Sequence, residues 1–404
     1  MTTETVSWKR TLYVIFVAQL ISGMGFSLVF PLLPLYVQAL GSRAGMSVEF
    51  LAGLVFSAQA LTMMIASPVW GALADRLGRK LMVLRATLGG AVVLSLMAFV
   101  RSAEELVFLR AVQGLITGTI SANNALVAAV TPRDRVGYAL GMLQVGLWAG
   151  VAIGPLMGGY IADTWGYHAA FLVTGGLLLA ASVMVFAWVH DDRAEVRQNA
   201  AAQNVSILRE WRHLLTTPGV PLVYMLRFLV RLGQSMSAPM MPLLVQAMAV
   251  RDIGTATATG GVVGVRSVMG TISATWLGRL GDRLGHRRIL MVGVLVSGAV
   301  LLAHGLVASV WQLLALQAVV GLMLGGMTPA MSALLAQYVT PGEEGAAYGL
   351  DNSVVAAART VAPMMGAAIA AVYGLRAPFV VGGMVYIVGA FLLVRRLPRE
   401  GRAG

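Results

Sequence analysis

Twelve predominantly apolar stretches, each of 18 residues or more, follow one another along this chain, at about 11–38, 49–72, 81–100, 104–130, 137–162, 168–189, 219–248, 254–277, 288–307, 311–338, 345–372 and 377–395. Each is long enough to cross a hydrocarbon core of about 30 Å. No water is available there to satisfy a free amide, so each stretch must close its own backbone hydrogen bonds and is predicted to be a helix, not open sheet. The composition agrees: 58% of residues are apolar and 11% charged, where soluble domains carry about a quarter charged. The 47 glycines and 14 prolines do not argue against helices, because membrane helices tolerate both as kinks and points of close approach.

The chain is also written twice. Gly71-x3-Asp75-Arg76-Leu77-Gly78-Arg79-Lys80 reappears 207 positions on as Gly278-x3-Asp282-Arg283-Leu284-Gly285-His286-Arg287. Leu109-Arg110-x2-Gln113-Gly114 recurs at the same offset as Leu316-Gln317-x2-Val320-Gly321, and Gly25-x5-Pro31-x2-Pro34 recurs at 208 as Gly233-x5-Pro239-x2-Pro242. The expected fold class is an all-α membrane protein of 12 transmembrane helices in two pseudo-symmetric six-helix bundles. The expected domains are residues 1–189, a cytoplasmic linker at 190–218, and 219–404. Paired halves in a membrane protein imply a solute site between them and alternating access around it.

A net charge of +12 raises the question of nucleic acid, and the placement of the cations answers it. Twenty of the 29 Lys and Arg fall in one alternate set of connections and four, Arg43, Arg101, Arg251 and Arg376, in the other. That asymmetry is the positive-inside pattern, so both termini and the linker are expected in the cytoplasm and no nucleic-acid partner is expected. The first apolar run is too long for a signal-peptide core and is read as the first span. Zero cysteines exclude disulfides and thiolate metal sites, and the five histidines show no ligand spacing. There is no G-x-x-x-x-G-K-[ST] phosphate loop and no nucleophile–base pair, so neither ATP coupling nor an enzyme is expected.

Two halves of six spans, with a G-x-x-x-D-R-x-G loop after the second and eighth, resemble the major facilitator superfamily over the whole chain. In the fifth span, Gly141-x8-Gly150-x3-Gly154-Pro155-x2-Gly158-Gly159 resembles the antiporter motif of the drug–proton antiporters with twelve helices, and its counterpart is reduced to Ala362-Pro363-x2-Gly366. The run from Phe26 to Tyr36 is similar to bacterial multidrug exporters. The resemblance implies a working monomer and a central cavity lined mainly by spans 1, 4, 7 and 10.

The motifs also have readings of their own. Gly71 and Gly78 permit close approach and a tight turn. Asp75 is the one acid among Arg76, Arg79, Lys80 and Arg85, so it is expected to stay ionised and latch this loop to the start of the eleventh span, with Arg79 and Asp134 extending the network. Asp282 and Arg283 repeat the arrangement. The plainer alternative is a cation cluster that only sets orientation. Glycines 150, 154 and 158 form a smooth stripe for helix contact. That contact is expected between the halves, although ordinary small-residue packing would use the same stripe.

Five arginines, Arg110, Arg227, Arg231, Arg266 and Arg359, fall within spans, where a charge facing lipid costs on the order of 2.5–3.5 kcal/mol. A cavity or a polar partner is therefore expected for each, while no acid lies deep in a span to answer them. The candidate cavity comprises Gln19, Phe26, Arg110, Gln113, Asn124, Arg227, Arg231, Gln234, Arg266, Asn352 and Arg359. Arg110, Gln113, Thr117, Ser121 and Asn124 are expected on one helical face. Asp75, Asp134, Asp351 and Glu49 are the candidate proton carriers. The function expected is proton-driven export of drugs or amphipathic neutral, zwitterionic or anionic molecules from the inner membrane of a prokaryote. The proton gradient is the expected energy source, with no cofactor or metal. Symport of an anionic metabolite is the alternative.

Overall fold

The structure, a computed structural model, describes residues 8–132, 135–189, 207–248, 253–339 and 344–396. All twelve apolar stretches are helical, and no strand occurs among the described residues. The first span is α1 (Trp8–Val29), a 3-10 turn at Phe30–Leu32 and α2 (Leu33–Leu40). Next come α3 (Val48–Leu77) and α4 (Arg79–Met97), while α5 (Ala103–Ile116) and α6 (Thr119–Val130) share the fourth span. α7 (Val136–Trp188) holds the fifth and sixth, divided at Gly166 by φ 83° and ψ 167°. α8 (Ile207–Thr216) lies in the linker. The second repeat comprises α9 (Val220–Ser237), α10 (Met240–Ala247), α11 (Thr255–Leu284), α12 (His286–Ala303), α13 (Val310–Tyr338), α14 (Glu344–Tyr373) and α15 (Ala377–Arg396).

Seven helical runs among the described residues are individually long and apolar enough to cross a membrane. The four remaining spans fall short for local reasons: the fourth is interrupted at Gly118, the seventh at Ala238–Pro239, the eighth is rich in Thr, Gly and Arg, and the apolar run of the twelfth covers only Ala377–Leu392. The linker helix α8 is absent from the sequence expectation. It buries Leu214, exposes Arg212 and His213, and lies against α9 and α14.

Helix starts are repeated with the sequence. Ser102 caps α5 by accepting from the Glu105 amide (3.3 Å), and Glu105 Oε2 accepts from the Arg101 amide (2.8 Å). Ser309 and Gln312 do the same for α13, at 3.4 Å and 2.9 Å. Both are serine caps with a carboxylate or amide three residues on, which satisfies first-turn donors reciprocally. The turns between α3 and α4 and between α11 and α12 each hinge on a left-handed glycine, Gly78 at φ 96° and Gly285 at φ 94°. A side chain there would be strained, which explains why both copies of the loop keep the residue.

Packing is duplicated too. In the first repeat α1 pairs with α7, and α4 with α7, α5 and α6; in the second α9 pairs with α14, and α12 with α15 and α13. The chain forms two compact units. One contains Met1–Ala44, Ala58–Gln203 and Ile253–Gly260, and the other Gly45–Ser57, Asn204–Asp252 and Gly261–Gly404. The start of α11 therefore belongs with the first unit, and the start of α3 with the second.

Candidate coupling and substrate-binding residues

In the second unit Arg227 of α9 is not left to a cavity. Its Nε donates to Asp351 Oδ1 of α14 at 2.6 Å, with the side chains 10% and 7% exposed, and its Nη2 donates to Ser332 Oγ of α13 at 3.2 Å. The Tyr224 hydroxyl, one turn before Arg227, donates to the Ala347 carbonyl of α14 at 3.0 Å. This corrects the expectation that no acid answers the arginines. Asp351 is the eighth residue of α14, and only the lateral packing of α9 against α14 brings it to a residue 124 positions away. Breaking a buried pair on one side leaves a stranded charge, which makes this contact a strong constraint on the helix packing.

The other arginines of this unit are arranged differently. Arg231 Nη1 donates to Gln234 Oε1 at 3.0 Å, while its buried Nε makes no hydrogen bond. Arg266 of α11 is partly buried, and Arg359 and Asn352 of α14 are exposed. Among the described residues none of these three arginines has a carboxylate within ion-pair distance.

The first unit meets its charge with amides. Arg110, buried in α5, donates to Gln113 Oε1 at 2.6 Å and to Gln59 Oε1 of α3 at 2.8 Å. Gln19 of α1 accepts from the amide of Asn123 in α6, both fully buried. Sequence reasoning selected Asn124, which is only partly buried, because it assumed one unbroken helix. The fourth span breaks at Thr117–Gly118, so the stripe of Arg110, Gln113, Thr117, Ser121 and Asn124 is not a single helical face. Phe26 is partly buried beside Gly90.

The glycine motif of α7 serves two faces. A Cβ on Gly150 would collide with the Leu20 carbonyl, on Gly154 with Ser27 Oγ and the Met24 carbonyl, and on Gly158 with the Leu28 carbonyl, so this stripe clasps α1 of its own repeat. The adjacent face meets the start of α11. Gly159 abuts Ala256 and Thr257, and the Pro155 carbonyl abuts Gly260. Gly141 stands apart, since a Cβ there would meet nothing. One turn beyond Gly159, Asp163 accepts from the amides of Ala256 (3.2 Å) and Thr257 (2.6 Å), capping α11 from another helix. Sequence reasoning missed Asp163; its i+4 and i+8 spacing from Gly159 and Pro155 was the available signal.

The loop residues are less fully described. Asp134 lies outside the described residues, as do the side chains of Gly71, Asp75 and Arg76. Arg79 is partly buried at the start of α4, while Asp282 and Arg283 are exposed. Asp282 faces the local His286 at 3.5 Å. Arg85, counted from sequence with the loop cations, sits within α4 against the Trp70 ring. His304, among the scattered histidines, is fully buried, held by the Val300 carbonyl (2.7 Å) and Gln317 Nε2 (3.0 Å) and stacked on Phe379.

A duplicated six-span bundle whose interior arginines meet an acid or an amide from a neighbouring helix, as Arg227 and Arg110 do, is the architecture of a polytopic transport protein of the bilayer. The sequence profile of the Major Facilitator Superfamily matches residues 15–229 and 223–404, and the chain belongs to that superfamily. It is similar to the multidrug resistance protein MdtG of Serratia proteamaculans, 36% identical over 390 residues and covering 96% of this chain and 93% of that one. MdtG of Dickeya zeae is 34% identical over 391 residues, with 96% and 95% covered. Among solved structures, a variant of the nucleoside transporter NupG superposes with a TM-score of 0.80 at 12% identity, covering 96% of this chain and all, 100%, of that one. The human organic anion transporter MFSD10 superposes with a TM-score of 0.68 at 18% identity, with 96% and 99% covered. These two likenesses establish the fold alone.

Proposed function

We propose that this chain is a proton-driven exporter of drugs and amphipathic small molecules, working as a monomer by alternating access in a prokaryotic cytoplasmic membrane with both termini inside. The similarity to MdtG over nearly the full length supports export, and the buried Arg227–Asp351 pair is the observation that supports proton coupling. An acid in an apolar helix changes the energetics of its surroundings when it takes a proton. With Asp351 ionised, the pair ties α9 to α14. Protonation neutralises the carboxyl, and Arg227 keeps only its bond to Ser332 among the contacts described. The two protonation states thus favour different packing of α9, α13 and α14, which is the requirement for linking proton movement to a conformational change. Gln19, Phe26, Arg110, Gln113 and Asn124 in the first unit, with Arg231, Gln234, Arg266, Asn352 and Arg359 in the second, are the substrate-facing candidates. Gly71, Asp75, Arg76, Gly78, Arg79, Asp134, Asp282 and Arg283 form the gate loops of this scheme.

The test is proton release from energised inside-out vesicles challenged with matched anionic, neutral and cationic amphiphiles. The expected result is compound-dependent release that a protonophore abolishes and vanadate does not, and that Asp351→Asn loses while still inserting and folding. Release that survives Asp351→Asn would remove the pair from the mechanism. A second reading, symport of an anionic metabolite, is favoured by the guanidiniums of Arg231, Arg266 and Arg359, which have no carboxylate in ion-pair reach among the described residues. It predicts proton-coupled uptake of an anion and no release with any amphiphile.

A further inference from the structure

α5 ends at Ile116 and α6 begins at Thr119, with Gly118 between them at φ 145° and ψ 33°. The break lies inside an apolar span, where the donors released at a helix end have no water to turn to. The first backbone bond of α6 runs from the Ala122 amide to the Gly118 carbonyl at 3.3 Å, so the amides before it form an open first turn. No side chain caps that turn and no acid lies in it. The Thr119 side chain is buried, 5% exposed, and its hydroxyl has no hydrogen-bond partner. As the first helical residue it leans back toward the helix start.

Arg85 of α4 comes to the same place. Its guanidinium carbon sits 3.7 Å from the centroid of the Trp70 ring, and its Nη2 would stand 3.5 Å from a Cβ built on Gly118. Its Nε and Nη1 are buried and make no hydrogen bond. The Trp70 indole N–H donates to the Leu115 carbonyl at 2.6 Å, which uses an acceptor just before the break and holds the ring against the guanidinium. A cation beside the positive end of a helix is repulsive. No carboxylate among the described residues neutralises either.

The second repeat is an internal control. Gly325 and Gly326 stand at the places of Gly118 and Thr119, yet α13 runs unbroken from Val310 to Tyr338. Leu277 and Val292 occupy the places of Trp70 and Arg85. The bundle therefore does not require a break in this span. The break occurs in the repeat that carries Arg85, with its buried Nε and Nη1.

We infer that the break between α5 and α6 is an oxyanion site, taking one carboxylate or phosphate group on Arg85, the Thr119 hydroxyl and the open amides of α6. The exposed side chains of Leu115 and Ile120 flank the break, so the occupant is an amphiphile whose apolar body rests on them. The site shares no residue with the Arg227–Asp351 pair, and its test does not depend on export. The full-length protein in phosphatidylcholine nanodiscs is titrated with 2-naphthoate, with the neutral 2-naphthalenemethanol as control. A second arm replaces part of the lipid with phosphatidylglycerol. Thermal unfolding and apparent affinity are the readouts. The expected result is stabilisation of the wild type by naphthoate or by phosphatidylglycerol, absent in Arg85→Gln and with affinity weakened roughly 3- to 10-fold in Thr119→Val. A response to the lipid alone assigns the site to a headgroup phosphate; a response to naphthoate alone assigns it to a soluble carboxylate. Equal responses in wild type and both variants, or none in either arm, would overturn the inference. If Arg85→Gln does not fold, Thr119→Val decides alone, because it deletes only a hydroxyl.

Discussion

The two repeats share a backbone plan and differ in how each handles buried polarity. At one position of the repeat, Gln19 of α1 bonds to the Asn123 amide in the first copy, while Arg227 of α9 bonds to Asp351 and Ser332 in the second. At another, the cation changes helices. Arg110 on α5 is held by Gln59 on α3, whereas the second copy puts Arg266 at the place of Gln59 and Gln317 at the place of Arg110. The close contacts beneath are conserved: Gly114 abuts the Gln59 carbonyl and Gly321 abuts the Arg266 carbonyl. Backbone proximity at small residues is thus common to both copies, and the side chains laid over it are free to diverge. At the first of these positions the first copy is neutral and amide-bonded and the second is ionic, while at the other each copy carries one arginine.

The largest effect is expected from making the ionic position half-empty. Asp351→Ala strands the Arg227 guanidinium and should cost about 3–5 kcal/mol of stability, read as loss of folded protein in detergent and of transport. The double variant Arg227→Gln, Asp351→Leu installs the residues that the first repeat carries at Gln19 and Leu143. It should recover most of that stability while remaining inactive in proton-coupled transport. A double variant as unstable as the single one would show that the two positions of the repeat are not interchangeable in packing.

A smaller effect tests what the copies share. Gly158 meets the Leu28 carbonyl, and Gly366, 208 positions on, meets the Met236 carbonyl. Alanine at either should overpack a backbone contact and cost roughly 1–3 kcal/mol, by similar amounts in the two repeats. Gly141→Ala, in open space, should stay within about 0.5 kcal/mol. Unequal losses at Gly158 and Gly366 would break the equivalence, and thermal unfolding of the purified variants measures it.

The smallest effect concerns helix starts. α11 is capped from another helix by two bonds to Asp163, while the equivalent start of α3 has the local Ser47 accepting from the Phe50 amide at 3.2 Å. Removing a cap costs about 0.5–2 kcal/mol. Asp163→Ala should fall in the upper part of that range and Ser47→Ala in the lower. Hydrogen exchange of the first turns of α11 and α3 would report each loss separately.

Much of the architecture was legible because it depends on local pattern. Apolar length marked the spans, and the repeated Gly78 and Gly285 marked the two tight turns. The superfamily followed from motifs whose residues are contiguous. The candidate site was less legible. Asp351 looked like a helix-end acid because its depth counts residues along α14, not the distance to α9. Asn123 was passed over for Asn124 because a glycine inside an apolar run does not announce whether the helix will break, and Gly118 breaks where Gly325 does not. Arg85 was placed in a loop because charge near a span end is ordinary there, and its stacking on Trp70 depends on how α3 packs on α4.

The sequence by itself determined that this chain is a duplicated, membrane-spanning, all-helical protein, since the hydrocarbon core forces internal hydrogen bonding on any long apolar stretch. It also marked five in-span arginines as needing a cavity or a partner, because a charge cannot be left in lipid without cost, and it missed Arg85. Only the tertiary structure decided the partners: an acid for Arg227, amides for Arg110, an aromatic ring for Arg85. Those choices depend on which faces of helices distant in sequence meet, and helical periodicity fixes a residue's face without fixing what lies opposite.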